Sequence, residues 1–185
     1  MKSMTKRLLA ALLAVFALAG CSKSDKADAA PKDYTKILHD ARPDEDNEYY
    51  MIFSPGEDGK FTAQYGYSDS YDAAQLDEEI RNMLLPLLNL EEDMYTDFAA
   101  SVSGMMVQSY GIAIVKPAEG KQQAVSEALD AYVQSQMQSM EHYLEDQYQI
   151  AASSHISTAP TGEVILVCCE NPEAVMNAIK TALAA

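Results

Sequence analysis

Hydrophobic positions along this chain follow two periods, and their order predicts a domain that mixes helices and strands. Apolar residues spaced by three and four predict helices at 34–40, 72–86, 118–144 and 172–185. Extended apolar runs predict strands at 96–102, 107–115, 148–157 and 163–169. Two further short strands, at 49–54 and 61–67, flank a turn rich in Pro and Gly.

This order of elements predicts an α+β fold, because helices lie between and after the four main strands. We expect a two-layer sandwich: an approximately four-stranded, mainly antiparallel sheet, with the long helix and the C-terminal helix on one face. The run Val164-Ile165-Leu166-Val167 does not alternate, which favours a central strand covered on both faces. The face away from the helices is then left for residues 44–72 or for a second copy of the chain in a homodimer.

The N-terminus has the layout of a secretory signal peptide. Three cations precede an unbroken apolar run at 8–18, which is too short to span a bilayer as a helix. Small residues then lead to Gly20 and Cys21, which fits the lipobox of bacterial lipoproteins. We therefore predict cleavage between Gly20 and Cys21 and a diacylglyceryl group on the Cys21 thiol. The alternative is ordinary secretory cleavage near Ala19.

These features divide the chain into three parts. Residues 1–20 are the signal peptide, and residues 21–33 are the acylated cysteine followed by a flexible linker. Residues 34–185 form a single domain, with an acidic and aromatic part at 34–72 and a core part at 73–185. The expected location is the extracytoplasmic face of the cell membrane, with a lipid anchor at Cys21.

The charge of the chain limits its partners. Removing residues 1–20 removes three cations and no acids, so the net charge changes from −15 to −18. Nucleic acid is excluded as a partner, because its binding depends on Lys and Arg that neutralise phosphates. The expected membrane contact is through the acyl chains of Cys21, and two or more such chains anchor stably.

The sequence carries no recognisable catalytic, cofactor or metal motif, and we predict that the protein is not an enzyme. The three histidines, His39, His142 and His155, are far apart and lack partners at metal-binding spacing. The acidic run at 44–48 is interpreted as a solvated loop, with an oxygen-rich cation site as the alternative.

The two remaining cysteines are adjacent. Neighbouring residues on a strand point to opposite faces, so a disulfide between Cys168 and Cys169 requires a distorted peptide. We predict two buried free thiols, and the alternatives are a vicinal disulfide and a reactive thiol.

Aromatic residues are concentrated at 44–72, which holds seven of the fifteen in the chain. They either pack against the second face of the sheet or form a surface for sugar rings or an extended peptide. Tyrosine suits such a surface because its ring is apolar and its hydroxyl can stay in water. The candidate surface residues are Tyr49, Tyr50, Tyr65 and Tyr67.

Three segments carry a resemblance to a known family. They are the acidic stretch from Leu88 to Tyr95, the strand end Val115-Lys116-Pro117, and the helix start Gly120-Lys121 followed by Ala128-Leu129-Asp130-Ala131-Tyr132. Together they resemble a family of bacterial lipoproteins catalogued as a domain of unknown function, family four-three-five-eight. The resemblance covers about 76–185 and implies a fold but no catalytic residues. It does not extend to residues 44–72, and it leads us to expect bulky residues where Cys168 and Cys169 stand.

We therefore expect a membrane-anchored extracytoplasmic lipoprotein that acts as a non-catalytic interaction or structural module for a protein or cell-wall partner. The alternative is a lipoprotein that binds a solute, either a cation, a peptide or a glycan.

Overall fold

A computed structural model describes residues 31–185 of the chain. The predictions for the signal peptide, for Gly20 and Cys21, and for most of the linker lie outside the described residues.

Strands and helices alternate along the described part of the chain. The strands are β1 Ile52–Pro55, β2 Phe61–Gln64, β3 Tyr95–Val102, β4 Gly111–Pro117, β5 His155–Thr158 and β6 Val164–Cys168. The helices are α1 Tyr34–Ala41, α2 Asp44–Tyr49, α3 Ala73–Glu79, α4 Leu85–Leu87, α5 Gln122–Met140, α6 Glu145–Ala152 and α7 Pro172–Ala184. A 3₁₀ turn covers Gly66–Ser70, and a π-helical turn covers Ile80–Leu84.

The strands form one antiparallel sheet in the order β2-β1-β3-β4-β6-β5. The fold is therefore α+β, as predicted. The sheet has six strands in the described residues and not about four, because β1 and β2 extend it beside β3. Residues 44–72 thus extend one edge of the sheet through β1 and β2, while Tyr50 and Tyr65 pack against the core on one of its faces.

Helices cover both faces of the sheet, so the predicted two-layer arrangement is wrong. Helices α3, α4 and α5 pack on one face, where Leu129 and Val164 share a core. Helices α1 and α7 pack on the other face, where Leu38 and Ile165 share a second core. Both sides of β4 and β6 are apolar, so each strand buries one set of side chains in each core. The face that the sequence left open is occupied by α1 and α7 of the same chain.

The helical segment after Asp72 begins and bends where its sequence predicts. The Asp72 carboxylate accepts hydrogen bonds from the backbone N–H groups of Ala74 and Gln75, at 3.0 and 2.9 Å. The π-helical turn precedes Pro86, and there the Leu85 N–H donates to the Ile80 carbonyl. Pro86 has no N–H and would crowd the carbonyl four residues earlier, so the wider turn accommodates it.

Three predicted boundaries are corrected. The predicted strand 148–157 is mostly helix, because α6 extends to Ala152 and only β5 is extended. The strand predicted at 61–67 ends at Gln64, because Tyr65 and Gly66 both have positive φ angles, of 67° and 52°. The acidic run is not a loop but helix α2, where three carboxylates in the first turn suit the positive end of the helix dipole.

Candidate functional site

A cleft of about 640 Å³ lies at the end of the sheet where β3 and β6 end and β4 begins. Helix α2, the 3₁₀ turn, the loop between β3 and β4, helix α6 and the start of α7 all contribute to it. We call it the tyrosine cleft. Its aromatic and acidic lining residues are Tyr49, Tyr50, Tyr67, Tyr110, Glu45, Asp46 and Glu170.

The four tyrosines form an inner pair and an outer pair. Tyr50 and Tyr110 stack with ring centroids 3.8 Å apart and planes inclined by 11°, and Tyr110 is buried. Tyr49 and Tyr67 meet edge to face at 6.4 Å and remain 52% and 58% exposed. The inner pair is therefore part of the packed structure, whereas the outer pair presents open ring surface to a ligand.

Arg42 holds the inner pair in place through hydrogen bonds from its guanidinium group. Its side chain is buried, and its Nη1 donates to Ser101 Oγ at 2.7 Å and to the Tyr110 hydroxyl at 3.1 Å. Its Nη2 donates to the Tyr50 carbonyl at 2.6 Å, and its Nε donates to Asn47 Oδ1 at 2.6 Å. One guanidinium thus joins α2 to Ser101 near the end of β3 and to Tyr110 just before β4, and it contacts both residues of the inner pair.

The carboxylates of the cleft have no ion-pair partner in the described residues. The ion pairs of that part of the chain lie elsewhere, as between Lys121 and Asp93. Burial raises the pKa of Asp46, while Arg42 and Tyr110 act in the opposite direction. Burial and the nearby Asp46 raise the pKa of Tyr50 to about 12, so its hydroxyl is neutral at physiological pH.

Ser109 is a second unpaired polar group in the lining. Its backbone N–H donates to Gln147 Oε1 at 2.9 Å, but its Oγ has no hydrogen-bond partner among the described residues. The residue is 2% exposed. Leaving a buried hydroxyl unpaired costs about 1–3 kcal/mol, so native structures seldom leave one without a reason.

Cys169 also lines the cleft, while Cys168 points into the core on the opposite face of the sheet. Both thiols are free and buried, as predicted. Burial raises the pKa of Cys169 to about 11, so the thiol is protonated at neutral pH and is a weak nucleophile. No cluster of three or more metal-ligating side chains occurs within residues 31–185.

The structure brings together three of the four predicted surface tyrosines. Tyr49, Tyr50 and Tyr67 line the cleft. Tyr65 does not, because its positive φ turns it toward α1, where its ring lies 4.1 Å from that of His39. The aromatics Phe53 and Phe61 pack in the core under α3, on the face that carries the long helix α5 and not on the second face. On the second face it is Tyr50 and Tyr65 that pack against the core.

A family model described as "Domain of unknown function (DUF4358)" matches residues 68–169. This chain belongs to the DUF4358 family. Comparison with curated proteins and with solved structures gave no match. The match confirms the predicted family. It includes the β3–β4 loop and α6 of the tyrosine cleft, but neither α2 nor the start of α7.

Most of the sequence segments that carry the family resemblance have structural roles at the other end of the β3–β4 hairpin, whereas Tyr132 donates to the Tyr110 carbonyl at the cleft end. Lys121 Nζ donates to Asp93 Oδ2 at 2.6 Å, and the Ala118 N–H donates to the Met94 carbonyl at 2.9 Å. Gly120 takes the positive φ, 76°, that the turn into α5 requires. In this DUF4358 protein those residues join the acidic stretch to α5 and lie away from the tyrosine cleft.

Proposed function

We propose that this DUF4358 protein is an extracytoplasmic lipoprotein whose domain, at residues 34–185, is a non-catalytic binding module. An acylated Cys21 would anchor it, and the linker at 21–33 would hold it near the membrane, within reach of a protein or cell-wall partner. The lipobox and the signal-peptide layout support the anchor. Within the described residues, no helix is both long enough and apolar enough to cross a bilayer.

The tyrosine cleft is the proposed binding site. The observation that carries this proposal is the open ring surface of Tyr49 and Tyr67 in the same cleft as carboxylates that form no ion pair within the described residues. Such a combination of apolar surface with a few unpaired polar groups is typical of binding sites. A non-catalytic role is supported by the Cys169 thiol, which burial keeps protonated and therefore weakly nucleophilic.

A solute-binding lipoprotein is the second candidate. The volume of the cleft, about 640 Å³, lies within the range of small-molecule sites, which is about 300–1,000 Å³. A cation, a short peptide or a glycan fragment would fit this volume. The two candidates differ in whether the natural ligand is free or part of a larger partner.

Replacing the anchor residue tests the location. We expect Cys21→Ser to abolish acylation and to leave the chain unprocessed. Any attachment of this variant to the membrane is then through its signal peptide. Metabolic labelling with a fatty-acid analogue, followed by membrane fractionation, measures this. Label incorporated equally by the wild type and by Cys21→Ser would contradict the anchor. The matched control is Cys169→Ser, which should keep the label.

Removing the two outer rings tests the site. We expect Tyr49→Ala/Tyr67→Ala to cost less than about 1 kcal/mol of unfolding free energy, because both side chains are half exposed. The same variant should lose ligand binding. The measurement is the thermal midpoint of the full chain in neutral detergent, with divalent cations, wall glycans and short peptides as probes. A probe at a hundred times its Kd adds about 2.7 kcal/mol, which is a shift of roughly 5–10 °C.

The control for this variant is Tyr143→Ala, since Tyr143 is exposed and lies outside the cleft. A shift that is lost in the double variant and kept in the control supports the site. A shift that persists in the double variant would place binding elsewhere, and a panel without any shift would contradict the solute-binding candidate.

A further inference from the structure

The tyrosine cleft has a charge and a lining that select one class of ligand. We propose that it binds a basic peptide segment of a partner protein, with a lysine or arginine side chain placed against the open rings and the unpaired carboxylates. This inference rests on the proposed function, because it names the ligand of the same site.

The first argument is charge. Glu45 and Asp46 on α2 face the same cleft as Glu170, which precedes α7, and none has an ion pair within the described residues. The one cation beneath them, Arg42, donates all its hydrogen bonds to groups of the domain itself. The lining therefore carries an excess of negative charge, in a chain whose net charge is −15. This field attracts cations and repels anions.

The second argument is the aromatic rim. The exposed rings of Tyr49 and Tyr67 are inclined by 62° to each other, so their faces point in different directions. A cation within about 6 Å of such a ring face is attracted by its quadrupole. The aliphatic stem of a lysine or arginine can pack on the same rings while its charged end reaches the carboxylates. A neutral glycan would use the rings but would gain no charge–charge attraction.

The third argument is Ser109. Its buried Oγ lacks a partner among the described residues, in a lining where Gln147 holds the neighbouring N–H. A hydroxyl oxygen can accept a hydrogen bond from an ammonium or guanidinium group. This unpaired hydroxyl is independent of the acidic residues, and a ligand that donates hydrogen bonds would satisfy its oxygen.

The fourth argument favours a peptide over a free cation. The loop between β3 and β4 carries Met105 into the lining and exposes Met106 and Val107 beside it, with Met106 86% exposed. Flexible methionine side chains adapt to varied apolar partners and are used at peptide-binding surfaces. A small diamine would occupy the acidic part of the cleft and leave this apolar rim uncovered, whereas a peptide would cover both.

The experiment is calorimetric titration of the full chain in neutral detergent with a capped tetrapeptide that carries two lysines. A second probe is the same peptide with both lysines acetylated, which removes the charge and keeps the length. A third probe is a free diamine. We expect the basic peptide to bind at least about tenfold more tightly than either of the other two probes.

The variant Glu45→Gln/Asp46→Asn/Glu170→Gln should lower the affinity for the basic peptide by at least about tenfold. Its matched control is Glu57→Gln/Glu119→Gln/Asp130→Asn, which changes the net charge equally at exposed positions outside the cleft. If both variants lower the affinity for the peptide equally, the effect is due to the net charge of the protein and the inference is overturned.

The remaining outcomes separate this inference from the proposed function. Equal binding of the acetylated peptide overturns the claim for a cation, and equal binding of the diamine overturns the claim for a peptide. If either probe still depends on Tyr49 and Tyr67, the cleft stays a binding site. If neither peptide binds but a neutral glycan does so through those tyrosines, the proposed function stands and this inference falls.

Discussion

Replacing Arg42 with methionine is expected to lower the free energy of unfolding by about 3–5 kcal/mol. Methionine fills similar space but donates no hydrogen bonds, so the buried oxygens of Ser101 and Tyr110 and the Tyr50 carbonyl lose their donor. Each buried group left unpaired costs about 1–3 kcal/mol. Urea denaturation of the full chain, followed by circular dichroism, measures the change.

The control for Arg42 is the conservative variant Arg42→Lys. Lysine keeps the charge but has one nitrogen, so it cannot contact Asn47, Ser101 and Tyr50 together. We expect a loss intermediate between the wild type and Arg42→Met. A loss below about 1 kcal/mol for Arg42→Met would show that this guanidinium does not hold the inner pair in place.

Gly111→Ala is expected to lower the free energy of unfolding by about 2–3 kcal/mol. A Cβ at Gly111 would lie 2.7 Å from both the Cε1 and the hydroxyl oxygen of Tyr132. Tyr132 cannot move aside, because its ring is buried between its own helix α5 and the sheet and its hydroxyl donates to the Tyr110 carbonyl at 2.8 Å. The measurement is again urea denaturation of the full chain.

Two further variants identify the cause of the effect at Gly111. Tyr132→Leu removes the obstructing ring atoms, so Gly111→Ala should cost less than about 1 kcal/mol in that background. Gly104→Ala is the matched control, because the nearest atom to its added Cβ is Leu84 Cδ2 at 3.9 Å. A Gly111→Ala cost that is unchanged by Tyr132→Leu would contradict the steric explanation.

The elements that the sequence predicted well have strong local signals. Asp72 caps α3 through its own side chain, and Pro172 begins α7 because its missing N–H is not needed there. The hairpin of β5 and β6 turns at Pro160-Thr161-Gly162, a sequence typical of turns. These signals act over a few residues, so they are readable without tertiary structure.

The arrangement of the helices on the two faces of the sheet cannot be predicted from such local signals. In β4, Ile112 and Ile114 face the layer of α1 and α7, while Ala113 and Val115 face the layer of α5, and both pairs are apolar. The pattern shows that two faces are covered, but it does not say which helix covers which face. The sequence does not predict helix α6, because Tyr148 and Ile150 also fit an extended strand. Contacts between α6 and α5 favour the helix over the strand.

The tyrosine cleft was predictable only in part. Clustering in the sequence identified Tyr49, Tyr50 and Tyr67, which lie within nineteen residues of one another. The fourth tyrosine, Tyr110, is held in the cleft by a hydrogen bond from Arg42, which is 68 positions away in the chain. Such a contact depends on the order of strands in the sheet, and a single sequence does not contain that order.

The most direct test of the account is a fluorescence titration with a reporter in the cleft. The chain has no tryptophan, so Tyr67→Trp introduces a unique reporter that keeps an aromatic ring at the rim. We predict that the capped two-lysine peptide changes its emission saturably, and that the same peptide leaves Tyr143→Trp unchanged. An equal response at position 143, or no response at position 67 with any peptide, glycan or cation probe, would contradict a ligand site in the tyrosine cleft.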